Sequence, residues 1–106
     1  MSVVVPDGCL LVQAGQQMEH LTGGYVLAGY HEVITTQATL DVIERKKEEG
    51  RSLWRVSSTL FSHIQSDQLL QPLGAFATPK TNAMYPVKSA GDQVQEELAA
   101  INLAKV

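Results

Sequence analysis

A chain of 106 residues, 44% hydrophobic and 18% charged, suits one small domain with a modest core, and nothing in it suggests two. Its formal net charge is −3 and its one basic cluster, Arg45-Lys46-Lys47, sits among Glu44, Glu48 and Glu49, which argues against a nucleic-acid partner. A lone cysteine, Cys9, allows no disulfide within the chain; no apolar run approaches the ~20 residues of a membrane helix, and the N-terminus lacks a basic-then-apolar leader pattern, so a soluble, cytoplasmic protein that meets no membrane is expected.

In chain order, the β-branched Val3 to Val5 stops at the turn sequence Pro6-Asp7-Gly8. Cys9 to Ala14 is too short and apolar for a helix and predicts a buried strand that covers the Cys9 thiol. Gly15 to Thr22, polar with Met18 and Leu21 inserted, predicts a turn or a single helical loop, closed by Gly23-Gly24. Tyr25 to Thr35 then predicts a strand apolar on both faces.

Ala38 to Glu49 predicts a helix capped by Thr36 or Thr39 and ended by Gly50. Its thin stripe of Leu40 and Ile43 marks a surface helix inserted between two strands. Leu53 to Ile64 predicts the second of those strands, and the stretch holding Gln71-Pro72-Leu73-Gly74, Pro79 and Pro86 is too punctuated for long regular structure. Gly91 to Leu103 predicts a closing helix that packs through Val94, Leu98, Ile101 and Leu103, with Ser89 and Asp92 spaced as a capping box.

Within the Leu53 to Ile64 strand, Arg55 and Ser57 stand two residues apart and therefore on one face. A guanidinium fork grips both oxygens of a carboxylate, and a neighbouring hydroxyl adds a third bond. His31, on the earlier strand, is a possible metal ligand. Alone, each residue has a plainer reading: His31 as a core histidine, Arg55 as the ion-pair partner of an acid such as Glu32. His20 and His63 read as a polar loop residue and a strand-end residue, and Trp54, on the face opposite Arg55, is expected to pack against the helices.

The run Pro6-Asp7-Gly8-Cys9-Leu10-Leu11-Val12-Gln13-Ala14-Gly15-Gln16, followed by Leu21-Thr22-Gly23-Gly24-Tyr25, His31-Glu32-Val33, Arg55-Val56-Ser57 and Gln71-Pro72-Leu73, resembles the C-terminal part of non-haem iron(II), 2-oxoglutarate-dependent dioxygenases of the isopenicillin N synthase-like branch. The resemblance extends to Tyr85-Pro86 and Gly91-Asp92. It implies a mainly β fold, a partial double-stranded β-helix or jelly roll with an inserted surface helix and a C-terminal helix. It also implies two cofactors, Fe(II) and 2-oxoglutarate, with His31 matching the second iron-ligand histidine and Arg55 and Ser57 matching the clamp on the distal cosubstrate carboxylate. The implied chemistry is oxidative decarboxylation of 2-oxoglutarate to succinate, coupled to attack on an unactivated C–H bond of a small-molecule substrate.

Gly15-Gln16 and Gly23-Gly24 depart from the family's usual Gly-Asp and Asn-Gly, both in a connecting turn. The interval from His31 to Arg55 is lengthened by the inserted helix, which costs little because loop closure grows slowly with length. A further departure is larger: the first histidine and the acidic ligand of the family, a His-x-Asp pair, have no counterpart at His20, His31 or His63. The chain is therefore expected to be a single domain forming the C-terminal portion of a larger oxygenase, inactive alone and without tight iron binding. The alternative is a non-catalytic remnant that serves as a protein-interaction module. Exposed strand edges would then pair it with the upstream half of the fold or with a second copy.

Overall fold

In the computed structural model, residues 4–101 are described; Val3 of the first predicted run and Leu103 of the predicted closing helix lie outside them. The elements in chain order are α1 (Gln16–Leu21), α2 (Gln37–Glu48), β1 (Leu69–Leu70), a 3-10 turn (Gly74–Phe76), α3 (Pro79–Met84), β2 (Lys88–Ser89) and α4 (Ala90–Ala100). The chain divides into two compact units: residues up to Gly29 join those from Ser62 onward, and Tyr30–Phe61 forms the other.

The mainly β jelly roll is not what the chain adopts. Helix and coil dominate, and the sheet among the described residues has two strands, β1 and β2, paired antiparallel with Leu69 opposite Ser89 and Leu70 opposite Lys88. Cys9 to Ala14, Tyr25 to Thr35 and Leu53 to Ile64 carry no strand. The reason is the non-local character of β structure: a strand is completed by a continuous ladder to a neighbouring strand, and between the first two runs the Gly29 amide reaches the Ala14 carbonyl at 2.9 Å without a ladder forming. Most large apolar side chains of the three runs accordingly remain exposed. Cys9 is exposed rather than buried, and Trp54, expected against the helices, is 91% exposed.

In the first unit, α1 ends where the sequence demands it. Gly23 donates to the carbonyl of His20 at 3.2 Å and Gly24 to that of Glu19 at 2.9 Å, the paired bonds of a Schellman stop that leave the chain left-handed. Thr22 reinforces the stop, its hydroxyl donating to the Met18 carbonyl at 2.9 Å and accepting from the Val26 amide at 3.0 Å. At Gly24 φ is +83° and an added Cβ would stand 2.5 Å from the Tyr85 hydroxyl oxygen. Backbone conformation and space both require glycine there.

The loop between β1 and the 3-10 turn returns to α1 through the Leu73 amide, 3.0 Å from the Leu21 carbonyl. Thr78 and Thr81 then form a capping box around Pro79 at the start of α3, so the punctuated stretch does hold one short helix. Proline suits that first helical position because its missing N–H would have no partner anyway. Ser89 caps α4 by accepting from the Asp92 amide at 3.0 Å, and the amides of Ala90 and Gly91 bond back to the carbonyls of Gln68 and Ser66, each at 2.9 Å.

Burial in this unit is scant. Leu70 and Ala90 form its apolar centre, and Leu70 is the largest fully buried side chain of the described residues. Polar groups share the interior: His20, Thr22 and Gln93 are buried. Gln17 on α1 donates to the Gln93 amide oxygen at 3.1 Å and accepts from the Ile64 amide at 2.8 Å.

The second unit is α2 with its flanking coil. Thr36 caps the helix by accepting from the Thr39 amide, and Gly50 with Arg51 closes it in the same manner as α1, donating to Lys47 at 3.1 Å and Lys46 at 2.9 Å. No residue from Tyr30 to Phe61 is buried.

Two substitutions test this account by thermal denaturation. Leu70→Ala is expected to cost about 2–5 kcal/mol, the range for emptying a filled apolar site. Gly24→Ala is expected to cost at least about 1–2 kcal/mol from its left-handed backbone alone, with a further loss from collision with Tyr85; an unchanged melting temperature in either variant contradicts the packing described.

Candidate functional site

The clamp and ligand predicted from sequence all fall in Tyr30–Phe61. Arg55 and Ser57 lie in a run from 51 to 65 that holds no helix, turn or bend, and both are exposed. Leu53, Trp54 and Arg55 with Ser52 line one shallow, open depression; Tyr30, His31 and Glu32 line another. Each is made of consecutive residues, so each reflects local chain shape rather than convergence of distant elements. The two share no residue, and the structure does not gather imidazole, guanidinium and hydroxyl around one cavity.

Electrostatically, Arg55 stands apart from its neighbours. Lys46 reaches Glu49 at 3.8 Å and Arg51 reaches the same carboxylate at 3.7 Å, whereas no ion pair of the described residues includes Arg55. The pairing of Arg55 with Glu32 that its plainer reading suggests is therefore absent among them. As for a metal, no three His, Cys, Asp or Glu side chains of the described residues lie together as a group that could hold one. A facial-triad iron needs two histidines and a carboxylate, and the described residues do not by themselves fit that requirement.

A second cluster, in the other unit, was not signalled by sequence. The Glu19 carboxylate on α1 accepts the Tyr85 hydroxyl at 3.0 Å through one oxygen and the Ala28 amide at 2.7 Å through the other. Next to it His20, 7% exposed, is not a polar loop residue but a buried helical one. Its Nε2 lies 2.9 Å from the Pro86 carbonyl, an acceptor, so that nitrogen carries the proton. The Tyr85 ring meets the His20 ring edge-on, centroids 5.5 Å apart. Nothing in spacing announces this set, because Glu19 and Tyr85 are separated by 66 residues; the adjacent Gly23-Gly24 stop, which brings the chain back over α1, is the one local hint.

The Tyr85 hydroxyl is held above its usual ionisation range, first by desolvation and then by its hydrogen bond to Glu19 and the charge of that carboxylate. Through the two Glu19 contacts and the His20–Pro86 bond, the cluster fastens α1 to the segment after α3. None of the described helices is long and apolar enough to cross a membrane. Comparison of the chain with protein-family models, with curated proteins and with solved structures finds no match.

The Tyr85 shift has a defined sign. A tyrosine whose ionisation is raised in the folded state contributes stability that is complete below the ordinary value of 10.0 and is lost as pH climbs through the raised one. Tyr85→Phe is thus expected to lower the melting temperature at neutral pH and to flatten its decline above pH 10.0. Parallel alkaline limbs in the two proteins, followed by circular dichroism, would contradict the role given to the Glu19 contact.

Proposed function

We propose that this chain is a C-terminal segment of an iron(II)- and 2-oxoglutarate-dependent oxidoreductase, in which Arg55 and Ser57 hold the cosubstrate carboxylate and His31 offers one imidazole to the metal. The observation that carries the reading is the state of Arg55: two residues from a hydroxyl, exposed, and outside every ion pair of the described residues. A guanidinium left out of the ion pairs is available to an external carboxylate. The ordered motifs from Pro6-Asp7-Gly8 through Arg55-Val56-Ser57 to Gln71-Pro72-Leu73 supply the class of oxidoreductase by resemblance.

The chain's own residues bind and orient in this proposal. Arg55 donates two parallel N–H bonds to the carboxylate, and Ser57 donates a third from its hydroxyl. Iron, when bound, supplies the oxygen chemistry; the remaining ligands come from polypeptide other than the described residues, and no reaction step is assigned to this chain alone.

A second reading, a protein-interaction module without catalysis, is favoured by a different observation. Tyr30–Phe61 contains no buried residue yet exposes Tyr30, Val33, Trp54, Val56, Leu60 and Phe61, the kind of apolar surface that marks contact with other polypeptide.

The proposal is tested by titrating 2-oxoglutarate into the chain and following the amide and side-chain resonances of Arg55 and Ser57. Loss of a charge-assisted pair corresponds to about tenfold or more in affinity, so Arg55→Gln is expected to weaken binding by at least that factor. Equal affinity in the variant would remove the clamp. In an oxidoreductase containing this chain, His31→Ala is expected to abolish release of labelled carbon dioxide from 2-oxoglutarate, and undiminished release would refute its ligand role.

A further inference from the structure

Residues 53–60 combine three features that point to a particular kind of partner. Their backbone is unpaired: among the described residues, the amide of Trp54 donates to the Ser52 hydroxyl at 3.2 Å, and no other backbone hydrogen bond is made from Leu53 to Leu60. The run is uninterrupted, with no helix, turn or bend between 51 and 65. Its side chains alternate. In an extended chain Trp54, Val56 and Leu60 share one face with Ser58, while Leu53, Arg55, Ser57 and Thr59 share the other. The apolar face is almost fully open, with Val56 91% and Leu60 93% exposed.

We infer that this segment is a docking edge for an extended peptide of another polypeptide, one that carries an acidic residue and adds to residues 53–60 as a β-strand. Strand addition satisfies the row of open N–H and C=O groups and lets alternate side chains of the visitor cover alternate side chains of the host. Charge selects the visitor. From Arg51 to Gln65 the sequence has two arginines and no acid; Arg51 is held by Glu49, so Arg55 is the cation left to answer. Opposite charges across a strand pair are favourable and like charges are not.

A second copy of this chain fits less well. Antiparallel self-pairing centred on Ser57 sets Arg55 opposite Thr59, and the segment offers no carboxylate in any register. The inference does not rest on the oxidoreductase reading: both use Arg55, but the strand also needs the backbone edge and the Trp54 face, whereas the clamp needs Ser57 and a small molecule.

The test uses the full chain, isotope-labelled, with two end-capped octapeptides, one alternating valine and glutamate and the other valine and lysine. Amide exchange at residues 53–60 is expected to slow with the glutamate peptide, with affinity at least about tenfold above that for the lysine peptide, since an opposite charge replaces a like one across the pair. Trp54→Ser is expected to weaken the glutamate peptide by a similar factor while 2-oxoglutarate titration stays as in the unmodified chain, which separates the two proposals. No protection at 53–60 with the glutamate peptide, or equal protection by both peptides, would overturn the inference. So would concentration-dependent protection without peptide, which would make a second copy the occupant.

Discussion

The first unit depends on one carboxylate with two duties. Glu19 takes the Tyr85 hydroxyl on one oxygen and the Ala28 amide on the other, so a six-residue helix is fixed at once to the chain just after it and to a segment far along the sequence. A helix as short as α1 has little standing of its own, because nucleation is costly and few bonds follow it. Its neighbours must hold it, and with Leu70 and Ala90 as the buried apolar residues the work passes to polar contacts. Their partial burial makes them effective, since a hydrogen bond to a charged acceptor strengthens as water is withdrawn. Gly24 makes the arrangement possible by leaving room for the Tyr85 hydroxyl.

Tyr30–Phe61 obeys the opposite logic. Its helix is locally complete, capped by Thr36 and stopped at Gly50, yet nothing in the unit is buried. The coil from Arg51 onward in this unit carries large apolar groups and two arginines, with neither a covering layer nor a carboxylate of its own. Ordering a segment costs conformational entropy that burial ordinarily offsets. Both proposals made for this unit, a clamp and a docking edge, therefore concern what reaches it from outside.

The parts of this fold legible in the sequence are those decided within a few residues. Gly23-Gly24 and Gly50 stop helices because the left-handed turn is a local requirement, and Thr36 and Ser89 start them for the same reason. The punctuated stretch around Pro79 holds no long element, yet after Thr78 the proline opens the six-residue α3. What was not legible is non-local. Leu53 to Ile64 has the composition of a strand and no strand beside it, so Trp54 is exposed where a sheet would have covered it. Glu19 and Tyr85 are joined by the route of the chain, and no spacing rule spans it. Of the candidate site, Arg55 stands outside every ion pair of the described residues, while Arg55 and His31 line separate depressions.

Ala28 and Ile64 are each bonded to a side chain of α1, the one to Glu19 and the other to Gln17. The peptide between those two moorings is an interlude in a frame that closes without it. Because ring-closure entropy rises only logarithmically with the residues enclosed, evolution can lengthen, trim or rewrite the interlude while the moorings persist. Variation there would change what the protein meets and leave intact the scaffold that presents it.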